Sequence, residues 1–257
     1  MDENKQIEQK IKENDYNKIK DNLVSWLQTK VKNAGLKGAV VGLSGGIDSA
    51  VTARLCQLAF GDKLLAVTMP CHSSSQDRED ALKVADKFGM EVVENDLSEI
   101  YDHFLANLKE TGIEGGKLAA ANIKPRLRMT ALYYYAQAQN YLVVGTDNWS
   151  ELKIGYFTKH GDGGIDLAPL GSLVKNEVRE LAKVLEIPAE IIEKKPSAGL
   201  WDGQTDESEM GFSYQELDKY ILTGEAEPEL EEKIKKLAAK NSHKVAPIPI
   251  PKRDKLI

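Results

Sequence analysis

Ile7, Ile11, Ile19, Leu23, Trp26, Leu27 and Val31 recur at three- and four-residue steps. That spacing lines one face of a helix and predicts a single long amphipathic helix ending near Gly35. The next segment, Ala39-Val40-Val41-Gly42-Leu43, is a continuous apolar run leading into glycines. Such a run is the mark of a strand buried on both faces in a parallel sheet. The alternation then repeats. A second strand is predicted at 64–69, closing at Pro70, and a helix at 76–88, opened by the capping run Ser73-Ser74-Ser75. A third strand is predicted at 91–95. Helices follow at 98–110 and about 117–139, the latter interrupted or kinked at Pro125. Residues 141–145 make a fourth strand. Alternating strands and helices predict an α/β fold, a doubly wound parallel sheet flanked by helices. Ligands bind such sheets at the carboxyl ends of the strands, where strand order switches.

The pattern changes after residue 150. Glycines cluster at 161–164 and around 199–211, and residues 200–211 are polar and acidic, as in a mobile loop that could close as a lid. Two helical stretches are predicted near 213–222 and 227–240, then an extended proline-bearing tail from Val245. The expected organisation is one domain: an N-terminal helix over 1–35, a nucleotide-binding core over 36–198, and the loop, helices and tail over 199–257.

Charge and cysteines narrow the function classes. The net charge of −6 argues against broad nucleic-acid or membrane-surface binding. Cys56 and Cys71 are not spaced as a metal or redox pair. No apolar run approaches the ~20 residues that span a bilayer. The N-terminus has no apolar segment of a signal peptide, so a cytoplasmic location is expected.

The chemistry concentrates in Gly42-Leu43-Ser44-Gly45-Gly46-Ile47-Asp48-Ser49, between a predicted strand and a predicted helix. The glycine pair can expose backbone N–H groups to an anion, and the following helix adds its positive end. Ser44 and Ser49 offer hydroxyls. Asp48 would repel a phosphate unless a magnesium ion lay between them. The segment lacks the Gly-Lys-Ser/Thr ending of a Walker A loop.

The loop resembles the SGGxDS signature of the ATP-pyrophosphatases, which cleave ATP between the α- and β-phosphates. Later segments resemble the NAD synthetases within that group: GTDNWSELKIGYFTKHGDGGID at 145–166, ANIKPRLRM at 121–129, KKPSA at 194–198, and His243-Lys244. Their order and spacing agree from about residue 20 to 250. The resemblance implies a Rossmann-like fold that binds adenine nucleotides and amidates deamido-NAD with ammonia, through an adenylate. No glutaminase domain precedes the match, which implies the ammonia-dependent form.

The resemblance also implies roles. Residues 42–49 would hold ATP, with Thr146, Lys175 and Ser197 as further ATP contacts; the family often has Thr where Ser197 stands. Asp48 and Glu151 would hold Mg2+, and Asp48 and Lys175 would act in catalysis. Arg126, Lys159, Asp166, His243 and Lys244 would contact deamido-NAD; Arg128 ranks below Arg126 because it could pair with a helix carboxylate. Asp206, Glu207 and Glu209 are available to favour ammonium. A homodimer is expected. Met69 fits an adenine pocket or the core equally well. The alternatives are another amidating or thiolating ATP-pyrophosphatase, and a regulatory ATP-binding module without catalysis.

Overall fold

The computed structural model of the chain describes residues 7, 9, 11–197, 199 and 205–253. Four parallel strands, β1 (Gly38–Gly42), β2 (Leu64–Thr68), β3 (Val92–Glu94) and β4 (Tyr141–Val143), pair in the order β3-β2-β1-β4. β2, β3 and β4 fall within the segments predicted for them, and β1 begins one residue before its predicted run and ends one residue short of it. In register, Ala39 pairs with Leu64 on one side, and Gly38 with Tyr141 on the other. Val40 and Val41 have no exposed surface, as expected of a central strand. Beyond β4 the chain adds a parallel bridge, Val144 to Leu167, which periodicity does not predict.

Helix α1 (Tyr16–Asn33) precedes β1. α2 (Ile47–Phe60) joins β1 to β2, and α3 (Ser75–Phe88) joins β2 to β3. α4 (Ser98–Glu110), α5 (Gly116–Ala121) and α6 (Ile123–Gln139) make the return to β4. Then come α7 (Trp149–Ile154), α8 (Lys175–Val184), α9 (Ala189–Glu193), α10 (Asp206–Met210), α11 (Tyr214–Thr223) and α12 (Pro228–Val245). One core layer packs α1, α2, α3 and α8 on one face of the sheet, through residues such as Leu27, Leu55, Val84 and Leu181. The opposite layer packs α4 and α6 through Tyr101, Ile123 and Ala136. A third cluster ties Ile154 of α7 to Met210, Tyr214, Leu217 and Ile234 of the C-terminal helices. Each fully buried leucine contributes ~1.5–3 kcal/mol.

Three expectations change. The N-terminal periodicity does not form one helix: the chain turns at Glu13–Asp15, and Asp15 restarts it by capping the Lys18 N–H at 3.0 Å. A cap inside an apolar period is invisible to a count of apolar spacings. The break between α5 and α6 falls at Asn122, not Pro125. Pro125 lies in the first turn of α6, where its missing N–H has no helical acceptor to lose. Within the expected mobile stretch, residues 200–204 lie outside the described residues, but Asp206–Met210 is helical with Asp206 and Met210 buried.

The order reverses after β3, so the chain returns beside β1. The crevice between the carboxyl ends of β1 and β4 is the switch point, and it receives the loop after Gly42 and the segment after Val143.

Candidate active site

Leaving β1, the chain passes through Ser44-Gly45-Gly46 into α2. Gly45 has φ +79°, and a Cβ there would collide with the Asp77 carbonyl, so the turn requires glycine. The Ser44 hydroxyl donates to Ser49 Oγ at 3.0 Å, and Ser49 Oγ donates to the Gly46 carbonyl at 2.9 Å. The serines therefore hold the loop's shape. Gly46, the N-cap of α2, has no side chain to satisfy the first-turn N–H groups, which leaves them for an anion. Lys194 fastens the loop from outside, donating to Asp77 at 2.8 Å, Asp80 at 2.7 Å and the Gly45 carbonyl at 3.5 Å. Ser197, three residues on, is exposed and accepts the Gly199 N–H at 3.1 Å.

Asp48 stands in the first turn of α2. Its Oδ2 accepts Lys175 Nζ at 2.5 Å, and its Oδ1 accepts Asn148 Nδ2 at 3.0 Å. Asn148 also caps α7 in a capping box with Glu151. Glu151 is thus neither free nor solvated: its Oε1 lies 3.4 Å from Lys175 Nζ and 3.3 Å from the Tyr214 hydroxyl. Lys175 is only 2% exposed, which excludes a surface lysine. Burial acts to lower its pKa, but Asp48 and Glu151 overcome that and hold the ammonium charged well above its ordinary range. Burial pushes Glu151 up to about 7, with Lys175 opposing the rise and Asp48 adding to it. The Tyr214 hydroxyl donates to Asp206 at 2.9 Å, and Tyr156 donates to Glu209 at 2.5 Å.

Thr146 follows β4 and is half-buried; the next residue, Asp147, is 5% exposed. Its Oδ2 has no hydrogen-bond partner among the described residues. Burial, reinforced by Asp162, Glu151 and Asp48, raises its pKa well above the usual carboxylate range.

A second, basic group gathers beside this acidic one. Arg126 at the start of α6 donates to the Lys159 carbonyl at 3.3 Å, and Lys159 Nζ donates to the His243 carbonyl at 2.6 Å. Lys244 Nζ donates to the Gly155 and Phe157 carbonyls, both at 2.7 Å, and pins the 155–164 loop to the end of α12. Asp166 accepts Tyr133 OH at 3.0 Å and the Val143 N–H at 2.8 Å. Arg128 has no ion pair with a carboxylate among the described residues; it donates to the Met69 carbonyl at 3.0 Å and to Ser73 Oγ at 3.3 Å. Met69 itself is buried in the core layer beneath.

The structure thus brings together Asp48, Lys175 and Glu151, and separately Arg126, Lys159, His243 and Lys244. Reading the sequence gave no individual role to Asn148, Tyr214, Asp147 or Lys194, although all but Tyr214 lie in segments that carry the family resemblance. Asn148 carries a local signal, an Asn three residues before a Glu at a helix start. The others act only through partners far along the chain. Among the described residues no group of three or more His, Cys, Asp or Glu is arranged to hold a metal by itself.

The sequence profile of the NAD synthase family matches residues 19–249. The NH(3)-dependent NAD(+) synthetase of Carboxydothermus hydrogenoformans is 52% identical over 225 residues, 87% of this chain and 93% of that protein. A solved NMN synthetase from Francisella tularensis superposes with a TM-score of 0.88 at 38% identity, covering 93% of this chain and 99% of the other. The NH3-dependent NAD synthetase of Campylobacter jejuni, solved with a nitrate ion, gives 0.78 at 33% identity, covering 93% and 100%. With the fold, the glycine loop and this match along most of its length, the chain belongs to the NAD synthase family.

Proposed function

We propose that this site amidates deamido-NAD with ammonia at the cost of ATP, giving NAD, AMP and pyrophosphate through a deamido-NAD adenylate, the last step of NAD biosynthesis. The observation that carries the reading is the Asp48–Lys175–Glu151 set standing beside the open N-terminus of α2. In this reading residues 42–49 cradle the β- and γ-phosphates, and Thr146, Lys175 and Ser197 complete the ATP site. The nicotinate carboxylate attacks the α-phosphorus and pyrophosphate leaves toward the α2 N-terminus. Ammonia then attacks the acyl carbon and AMP departs. No side-chain nucleophile is required; positioning and fixed charge do the catalysis.

The residues fit a magnesium ion. Two carboxylates plus phosphate oxygens and water make the octahedral set this ion prefers. Asp48 and Glu151 would hold it, and it would neutralise charge on the departing pyrophosphate. Arg126, Lys159, Asp166, His243 and Lys244 would receive deamido-NAD, with the cations meeting its diphosphate. Both described cysteines are free and buried, and no described helix is long and apolar enough to cross a membrane; a cytoplasmic setting completes the reading.

The likeness to an NMN synthetase favours a second reading, in which the substrate is the corresponding mononucleotide acid. One assay separates the two. Pyrophosphate release is followed with ATP, Mg2+ and ammonium, using deamido-NAD or the mononucleotide acid. We expect stoichiometric NAD from deamido-NAD, and none when glutamine replaces ammonium. Preference for the mononucleotide would establish the second reading, and equal use of ammonia-free glutamine would remove the ammonia-dependent one.

A further inference from the structure

We propose that Tyr214 is a positioning residue for Lys175: its hydroxyl occupies Asp206, which would otherwise draw the ammonium away from Asp48. The assignment rests on the amidation reading above, in which Lys175 serves ATP. Lysine carries a point charge on a flexible four-carbon stem, so its direction is set by what surrounds it. Three carboxylates compete for this one. Asp48 takes it at 2.5 Å and Glu151 lies at 3.4 Å. Asp206 also attracts the charge, yet makes no ion pair with it among the described residues. A buried carboxylate needs a partner all the same. What satisfies Asp206 is a neutral donor.

Tyr214 opens α11 and has no exposed surface. Its hydroxyl lies 2.9 Å from Asp206 Oδ2 and 3.3 Å from Glu151 Oε1. A phenol has one proton to give, and the shorter contact takes it. Tyr156 is a poor substitute, because it stands 3.4 Å from Asp206 and only 2.5 Å from Glu209. Lys175 Nζ lies over the Tyr214 ring, 5.0 Å from its centroid, so the ring supports the ammonium while the hydroxyl holds Asp206. Packing in the cluster with Met210, Phe212 and Leu217 would be served equally by phenylalanine. The hydroxyl is needed only for the acid.

The test uses the full-length protein, Tyr214→Phe, Asp206→Asn and the double variant. Phenylalanine keeps the ring and removes only the hydroxyl. Two reactions are measured: amidation with ammonium, and deamido-NAD-dependent exchange of pyrophosphate into ATP without a nitrogen source. Tyr214→Phe should lower kcat and the exchange rate together by roughly 10- to 100-fold, the scale of one hydrogen bond to a charged group. KM for deamido-NAD should stay as in wild type, because the basic group that receives it is untouched. Adding Asp206→Asn to Tyr214→Phe should restore most of both rates, since an amide does not draw the lysine; a hydroxyl needed only for packing predicts no such rescue. Unchanged rates in Tyr214→Phe, or a further loss in the double variant, would overturn the proposal. Should Tyr214→Phe fail to fold, the double variant is compared with Asp206→Asn. With no carboxylate at 206 the hydroxyl has nothing to hold off, so the two rates should match, and a slower double variant would overturn the proposal. A wild type that forms no NAD would instead remove the amidation reading, and the proposal with it.

Discussion

Lys175 sets a single positive charge against Asp48 and Glu151, with Asp147 and Asp206 close by, and the burial and crowding of these acids hold the pKa values of Glu151, Asp147 and Asp206 above the ordinary carboxylate range, so the site has no positive charge to spare. A polyphosphate cannot enter such a place without cations, and Asp48 is the group best placed to recruit one. Asp48→Asn retains the hydrogen bond to Asn148 and loses the charge. Turnover should fall by at least ~10²-fold, the scale for loss of one strong electrostatic stabiliser, while circular dichroism shows a folded protein. Near-normal turnover would remove Asp48 from the mechanism. At this scale the sequence was informative wherever a residue sits in a local motif. Asp48 stands in its glycine loop, and Glu151 stands four residues after Asp147 in a readable helix start. Lys175 and Asp147 were different: Lys175 was legible only through the family resemblance, and Asp147 was given no role. A lysine before an amphipathic helix looks like a surface charge until the burial of its side chain is known. Nothing local marks the aspartate's oxygen as unpaired.

Among the elements, α8 depends on its neighbours for its first turn. Asp218 of α11 accepts the Asn176 N–H at 2.8 Å and the Ser150 hydroxyl at 2.6 Å, while Ser150 accepts the Lys175 N–H at 3.1 Å. This cap, supplied by another helix, fixes the backbone of Lys175. Burial raises the Asp218 pKa from 3.8 to about 6. A carboxyl raised on folding is penalised once ionised, so this group's contribution to stability is largest below about pH 4. It is lost as pH rises to about 6, by up to ~2–3 kcal/mol, and is constant above that. Asp218→Asn should therefore flatten the fall in stability between pH 4 and 6, read from urea midpoints at several pH values. An identical slope in both proteins would contradict the raised pKa. The four strands could be read because continuous apolar runs have few other uses. The restart of α1 at Asp15 and the break at Asn122 could not, because polar capping and loop contacts override apolar spacing there. The same limit hid the α11 cap, whose partners are 42 and 68 residues away.

At the scale of the whole molecule, α4 shows several of the exposed large apolar side chains among the described residues. Ile100, Phe104 and Leu108, at four-residue steps, form a stripe along α4, and Ile113, Leu118 and Tyr134 are also exposed. Exposed apolar side chains at helical spacing on one element fit an interface, and α6, which bears Tyr134, also bears Arg126. We assign this face to the expected homodimer. Phe104→Glu should convert a dimer to a monomer in sedimentation equilibrium while leaving the thermal transition of the subunit cooperative. A monomeric wild type, or a dimeric variant, would place the contact elsewhere. The crevice between β1 and β4 also bears on how the protein is made. Asn148 reaches Asp48 across 100 residues of chain, and Lys175 reaches it across 127. Contacts of such separation form late, after local helices and the β1–β2 unit. On the ribosome the glycine loop emerges long before the lysine that completes it. A chain caught halfway thus has a phosphate cradle without the charges to use it, so incomplete molecules are silent rather than wasteful of nucleotide.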